Sequence, residues 1–181
     1  MMNITTSQND KLPYYEIPEA SETYTAGTVV ARMIDGLGFR YYWATEGLRA
    51  EDLAFKPSQD SRTTGETVDH ILGLTNVIMS SALKIVNENV DTGKLNFEEK
   101  RALTLVMLKK TADIFRASDD LSQFKIVFNR GEQTSEYPFW NQINGPIADA
   151  LWHCGQVITH RRTSGNPYNS KASVFTGTVK Q

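Results

Sequence analysis

Asp149, His153, Gln156 and His160 recur at steps of four, three and four residues in a chain of 181 residues. On a helix that spacing stacks all four on one face. A carboxylate and an imidazole at i and i+4 lie about 5–6 Å apart at Cβ. Both can therefore reach one cation at about 2.0–2.2 Å. The flanking Leu151, Trp152, Val157 and Ile158 cover the sides of the same helix. A buried polar stripe of this kind needs partners, because each polar group taken out of water costs free energy. The bland alternative is a pair of satisfied core histidines and a first-turn acid held by the helix dipole.

The chain has three histidines, and the third is His70. It shares a helical line with Leu74 and Val77, a spacing that predicts an inward-facing imidazole. One histidine from that helix, with Asp149 and His153 from the last, makes a three-ligand set with open positions. His160 lies two turns from His153, too far to share a small metal with Asp149. Cys154 sits about 100° round the helix from His153, and nothing nearby marks it as an activated nucleophile.

Four helices must position these residues. Val30, Ile34, Leu37, Tyr41, Ala44 and Leu48 mark the first, with Gly36 and Gly38 allowing close approach of a neighbour. Residues 49–62, with Pro57, read as a loop. Thr63 and Glu66 have capping-box spacing and open a second helix expected to run to about Asn87, with Ser81 on the His70 line. Asn96 and Glu99 open a third, with Leu105, Leu108, Ala112 and Phe115 as its buried stripe. Between 119 and 143 the period shifts to alternation at Phe124, Ile126 and Phe128. A turn at 129–131 follows, then an extended piece to Trp140, so the segment reads as a small hairpin or a long crossover. Asn144 is the expected cap of the fourth helix, about 145–164, with Pro146 in its first turn and Gly165 at its C′ position. The fold class is all-α: a four-helix bundle with one long connection between the third and fourth helices. Its boundaries are an arm at 1–24, the bundle at 25–167 and a tail at 168–181.

Composition narrows the function classes. The formal net charge is −2 and hydrophobic residues make up 40%. The nearest basic clusters, at 108–110 and 160–162, are too short for a nucleic-acid face. No apolar run approaches the roughly 20 residues that span a bilayer. The polar first residues do not read as a signal peptide, and a single cysteine suits a reducing compartment, so a cytoplasmic location is expected. On that expectation the glycosylation spacing at Asn3 carries no meaning.

The chain resembles the DinB-like (YfiT-like) metalloenzymes over about residues 26–167. Members have a four-helix bundle, a histidine early in the second helix and a His-x-x-x-His-Arg-Gly-Gln segment in the fourth. Here GETVDH, 65–70, puts His70 in the first ligand position, and DALWHCGQ, 149–156, matches His153 and the Gly155–Gln156 pair. Arg162, Gly165 and Pro167 also fall where the family has such residues. Asp149 replaces the first histidine of the segment, and Cys154 replaces its arginine. The implied metal set is two histidines and a carboxylate, which suits Fe(II), Mn(II), Ni(II) or Zn(II). The Asp lowers the charge of such a site by one and weakens its Lewis acidity.

The resemblance further implies a thiol-dependent activity. Relatives transfer a low-molecular-weight thiol such as bacillithiol to electrophiles, or isomerise maleylpyruvate with mycothiol. Gln156 and His160 would then orient the bound thiol or water, and a small molecule would be the substrate. The resemblance also implies a homodimer, for which the aromatic run at 137–140 offers a surface. The rival is a non-catalytic, dimeric binding or stress-associated bundle with a degenerate site, favoured by the replaced histidine. A ferritin-like di-iron centre is excluded by the absence of paired Glu-x-x-His motifs.

Overall fold

A computed structural model describes residues 12–131 and 133–181. The first eleven residues of the expected arm, with Asn3, lie outside the described residues. The chain is mostly helical, with two small antiparallel hairpins. Among the described residues no helix is long and apolar enough to cross a membrane.

α1, Ala26–Thr45, starts at a capping box in which Thr25 and Thr28 satisfy each other's backbone N–H groups. Its stripe of Val30, Ile34, Leu37, Tyr41 and Ala44 is buried, and Leu48 beyond its end joins the same core. The stretch 49–62 is not all loop. Ala50–Ala54 form a short α2, in which Asp52 accepts from the backbone of Arg49 and is itself fully buried. The hydrophobic period cannot announce five residues, which is why α2 was not expected.

α3, Thr64–Ala82, begins at the Thr63–Glu66 capping box. It stops five residues short of Asn87. Lys84 takes a left-handed φ of 57°, and the Asn87 N–H then donates to Val127 O at 2.8 Å. The backbone bonds that would have continued the helix go to a strand instead. α4, Phe97–Arg116, opens at Asn96 with Glu99 answering, and buries Leu105, Leu108, Ala112 and Phe115.

β1, Ile126–Arg130, and β2, Gln133–Tyr137, form the expected hairpin, with Gly131 in the turn at φ 65°. The extended piece ends at Tyr137, and Trp140 already lies in a helical turn, α5, Trp140–Gln142. A π-helical turn, Ile143–Ile147, is kinked at Gly145, whose φ −97° and ψ −111° are not helical, and carries Pro146 just before α6, Ala148–Thr163. Asn144 therefore caps nothing. The first N–H groups of α6 find carbonyls in the preceding turn, so no side-chain cap is called for. At the other end Gly165 takes the left-handed C′ conformation at φ 80°.

α1 packs against α4 and α6, and α3 packs against the same two helices, around one core. Phe139 belongs to that core, so the aromatic run at 137–140 is only partly a surface feature. The tail is built rather than loose. β3, Ala172–Ser173, and β4, Thr178–Val179, pair, and Ile17 N–H donates to Gly177 O at 2.8 Å. Ile17, Phe39, Trp43, Tyr168, Ala172 and Val179 close a second apolar cluster against α1.

Candidate metal centre

α3 and α6 bring together three side chains that the sequence separates by 79 residues. His70 Nε2 lies 3.3 Å from Asp149 Oδ2, and His153 Nε2 lies 3.2 Å from Asp149 Oδ1. The two imidazoles meet edge to face with centroids 4.6 Å apart. One ligand atom from each residue lies within 4.8 Å of the other two, and this group could hold a metal ion. Ligand atoms about 2.1 Å from one cation at tetrahedral angles are about 3.4 Å apart, and both contacts to Asp149 are close to that length, each to a different carboxylate oxygen.

The site is not the buried stripe that the helical period implied. The side chains of His70 and Asp149 are 32% and 40% exposed, whereas His153 is 13% exposed. The reason is visible on α3. Its core line runs through Val68, Ile71 and Ile78, which places His70, Leu74 and Val77 on the flank. The three side chains therefore sit at the rim between α3 and α6, open to solvent on one side.

Electrostatics favour a neutral imidazole at His70. Partial burial and the nearby Arg62 and His153 push its pKa down, and Asp149 opposes them. A neutral ring keeps a lone pair for a cation. His153 is oriented from behind, with Nδ1 2.7 Å from Gln156 Oε1. With the amide oxygen in that place, Nδ1 carries the proton and donates it to Gln156. In the Nδ1–H tautomer Nε2 presents a lone pair to a carboxylate oxygen. Two acceptors facing each other at that distance call for a positive charge between them, and a cation or a second proton would supply it.

Gln156 thus touches the back of the His153 ring, the kind of contact that orients histidines able to bind metal. His160 is not brought to the cluster. It is buried, its Nδ1 is 3.2 Å from Thr64 Oγ1, and its ring lies against Phe55 at 5.6 Å. Burial lowers its pKa. Cys154 is buried as well, and desolvation pushes its thiol up to about 12, far from a nucleophile's range. Tyr41 lies in the main core, while Arg40 and Trp43 line a cavity of about 220 Å³ beside Cys154.

Two structural features lay outside sequence reasoning. A cleft of about 620 Å³ adjoins Asp149, bounded by α3, the β1–β2 hairpin, the π-helical turn and Trp152. Its only sequence signal was the alternation that places Ile126 and Phe128 on one strand face. The other feature is Arg161, which is buried in the last turn of α6. Its Nη1 donates to the carbonyls of Trp43, Ala44 and Glu46 at 3.0–3.1 Å, and its Nε donates to Asn166 O at 2.7 Å. Those are the orphan carbonyls at the end of α1, where a cation is favoured. No protein-family model, no curated protein and no solved structure matches the chain, so the rim cluster itself is the basis for a functional reading.

Proposed function

We propose that the chain is a cytoplasmic, DinB-like four-helix bundle that binds a divalent transition metal and acts on a small molecule as a thiol-dependent transferase. The observation carrying this reading is the convergence of His70, Asp149 and His153, whose ligand atoms all lie within 4.8 Å of one another. The packing of α1 and α3 on both α4 and α6 supports the bundle, and the two family segments supply the ligands. His70, Asp149 and His153 would hold the cation, of which Ni(II), Zn(II), Fe(II) and Mn(II) all suit the donor set. When bound, it would supply the positive charge that favours the thiolate of a low-molecular-weight thiol. Gln156 holds His153 in the tautomer that leaves Nε2 free for the site. Assembly as a homodimer is part of the same proposal.

A second reading has one observation in its favour. Each oxygen of Asp149 already lies within 3.3 Å of an imidazole nitrogen. If the Gln156 amide is turned over, the trio closes by hydrogen bonds alone, as in a non-catalytic bundle with a degenerate site.

Thermal-shift titration with Ni(II) or Zn(II) separates the two. A ligand that binds the native state alone stabilises it by about 2.7 kcal/mol at 100 times Kd. The wild type should show the rise in Tm, and protein purified without an affinity tag should carry metal in stoichiometric amount. His70→Ala, Asp149→Ala and His153→Ala should lose the rise, because two ligands hold a small dication poorly against water. Asp149→His and His160→Ala should keep it. No rise in the wild type establishes the second reading. A rise kept by Asp149→Ala and lost by His160→Ala moves the ligand set down the helix.

A further inference from the structure

We propose that the cleft beside Asp149 binds the uncharged, apolar body of the substrate, an aromatic or branched aliphatic group, with its polar end directed at the cation site. This rests on the metal reading above for the polar end only. The walls are Leu74 and Val77 from α3, Phe128 from β1, Tyr137 from β2, Pro146 from the π-helical turn, and Trp152 from α6. The volume of about 620 Å³ lies within the range of small-molecule sites, about 300–1,000 Å³.

Strand alternation builds the inner wall. Ile126 and Phe128 share one face of β1, and Tyr137 stands opposite Ile126. The Phe128 and Tyr137 rings meet edge to face at 6.2 Å, which holds an aromatic surface in place without a ligand. On the far side Trp152 is 72% exposed, so its indole face is available to stack on a planar guest. A Cβ built on Gly145 meets nothing within 4 Å, so the floor of the cleft is open there.

Charge decides the substrate class. Among the described residues no lysine or arginine lines the cleft, and its one carboxylate is that of Asp149. An anionic body would be desolvated against apolar walls and repelled by that carboxylate, with no cation to pair with. A neutral body loses nothing by entering. Asp149 belongs to both the cleft and the ligand trio, so a guest lying along the walls ends at His70 and His153. This geometry excludes substrates whose recognition depends on phosphate or carboxylate groups away from the reacting end.

The test uses two probes with the same ring system, 1-naphthol and naphthalene-1-carboxylate, titrated by calorimetry into the full chain without metal. The neutral probe should bind at least tenfold more tightly than the anion. Val77→Asp, which places a charge on the wall, should weaken 1-naphthol at least tenfold while leaving the Zn(II)-induced rise in Tm unchanged. With Zn(II) present the carboxylate should gain at least tenfold, because its charged end then meets the cation. Undiminished 1-naphthol binding by Val77→Asp overturns the proposal, as does tighter binding of the anion to the metal-free chain. A Zn(II) rise in Tm without any gain for the carboxylate overturns the orientation. Absence of the Zn(II) rise in every protein overturns the metal reading alone, since the first two titrations contain no metal.

Discussion

His160 is the residue whose burial leads most directly to a measurable consequence. Its pKa falls below the ordinary 6.5 because burial disfavours the charged ring. As pH falls, the unfolded chain therefore takes up this proton before the folded one. Stability rises with pH wherever the unfolded state binds more protons. The contribution is complete above about 6.5 and is lost as the pH drops from there through the lower folded value. His160→Gln keeps a polar partner for Thr64 but cannot titrate. Between about pH 7.5 and about pH 5 the urea midpoint of the wild type should fall further than that of His160→Gln. Equal falls would show that burial does not hold the ring neutral. Sequence spacing placed Asp149 and His153 correctly because i,i+4 proximity is a property of one helix. Spacing could not show that α3 turns His70 to the flank, since that depends on which neighbours cover Ile71 and Ile78. Nor could it show that His160, on the same face as His153, lies under Phe55 and α3's first turn.

At the scale of elements, one close approach of two helices is made by a glycine near the start of α1. A Cβ at Gly27 would lie 2.3 Å from the carbonyl oxygens of both Phe115 and Ser118, at the end of α4. Backbone cannot swing aside, so Gly27→Ala must displace one helix against the other, at a cost of about 1–3 kcal/mol. At Gly36 the nearest obstacle is the flexible end of Arg40 at 3.3 Å, and helix propensity favours alanine by about 0.5–1 kcal/mol. Urea unfolding should therefore give opposite signs for Gly27→Ala and Gly36→Ala. A neutral Gly27→Ala would mean that the helices can separate there without loss. The elements themselves were legible wherever a local hydrogen bond defines them. The capping boxes at Thr63–Glu66 and Asn96–Glu99 and the Gly131 turn depend on residues three or fewer apart. The end of α3 was hidden because Asn87 is claimed by β1, forty residues downstream. The entry to α6 was hidden because Pro146 after Asn144 looks the same before a capped helix as inside a π-helical turn.

For the whole molecule, exposed aromatics concentrate attention on assembly. Phe139 is in the core, which leaves Tyr137 and Trp140 as the outward part of the 137–140 run, with Trp140 76% exposed. If this surface holds two copies together, light scattering should give about twice the monomer mass of 20.3 kDa. Trp140→Glu should return the mass to that of the monomer, because a charge is costly to bury in an apolar contact. A wild-type mass near 20.3 kDa at micromolar concentration removes the dimer. The arm and tail behave as one unit in the monomer. Val179 N–H donates to Glu16 Oε1 at 2.8 Å, and Trp43 Nε1–H donates to Tyr15 O at 3.1 Å. Two segments that periodicity left without structure are thus joined by hydrogen bonds and an apolar cluster, a pairing that no pattern within either could announce.

Arg161 divides α6 into a stretch that tolerates changes in chain length and one that does not. Eight residues separate it from His153, about 12 Å along the axis, or a little over two turns. Its guanidinium is fixed on the α1 carbonyls, so a residue inserted between them would swing His153 and Asp149 about 100° away from His70. Upstream of Ile147 the helix is already interrupted by the non-helical backbone of Gly145. An insertion or deletion there can be absorbed at that kink. The hairpin connection can therefore vary in length while the rim cluster keeps its spacing, and length variants made on either side of Asp149 will differ in fate for that reason.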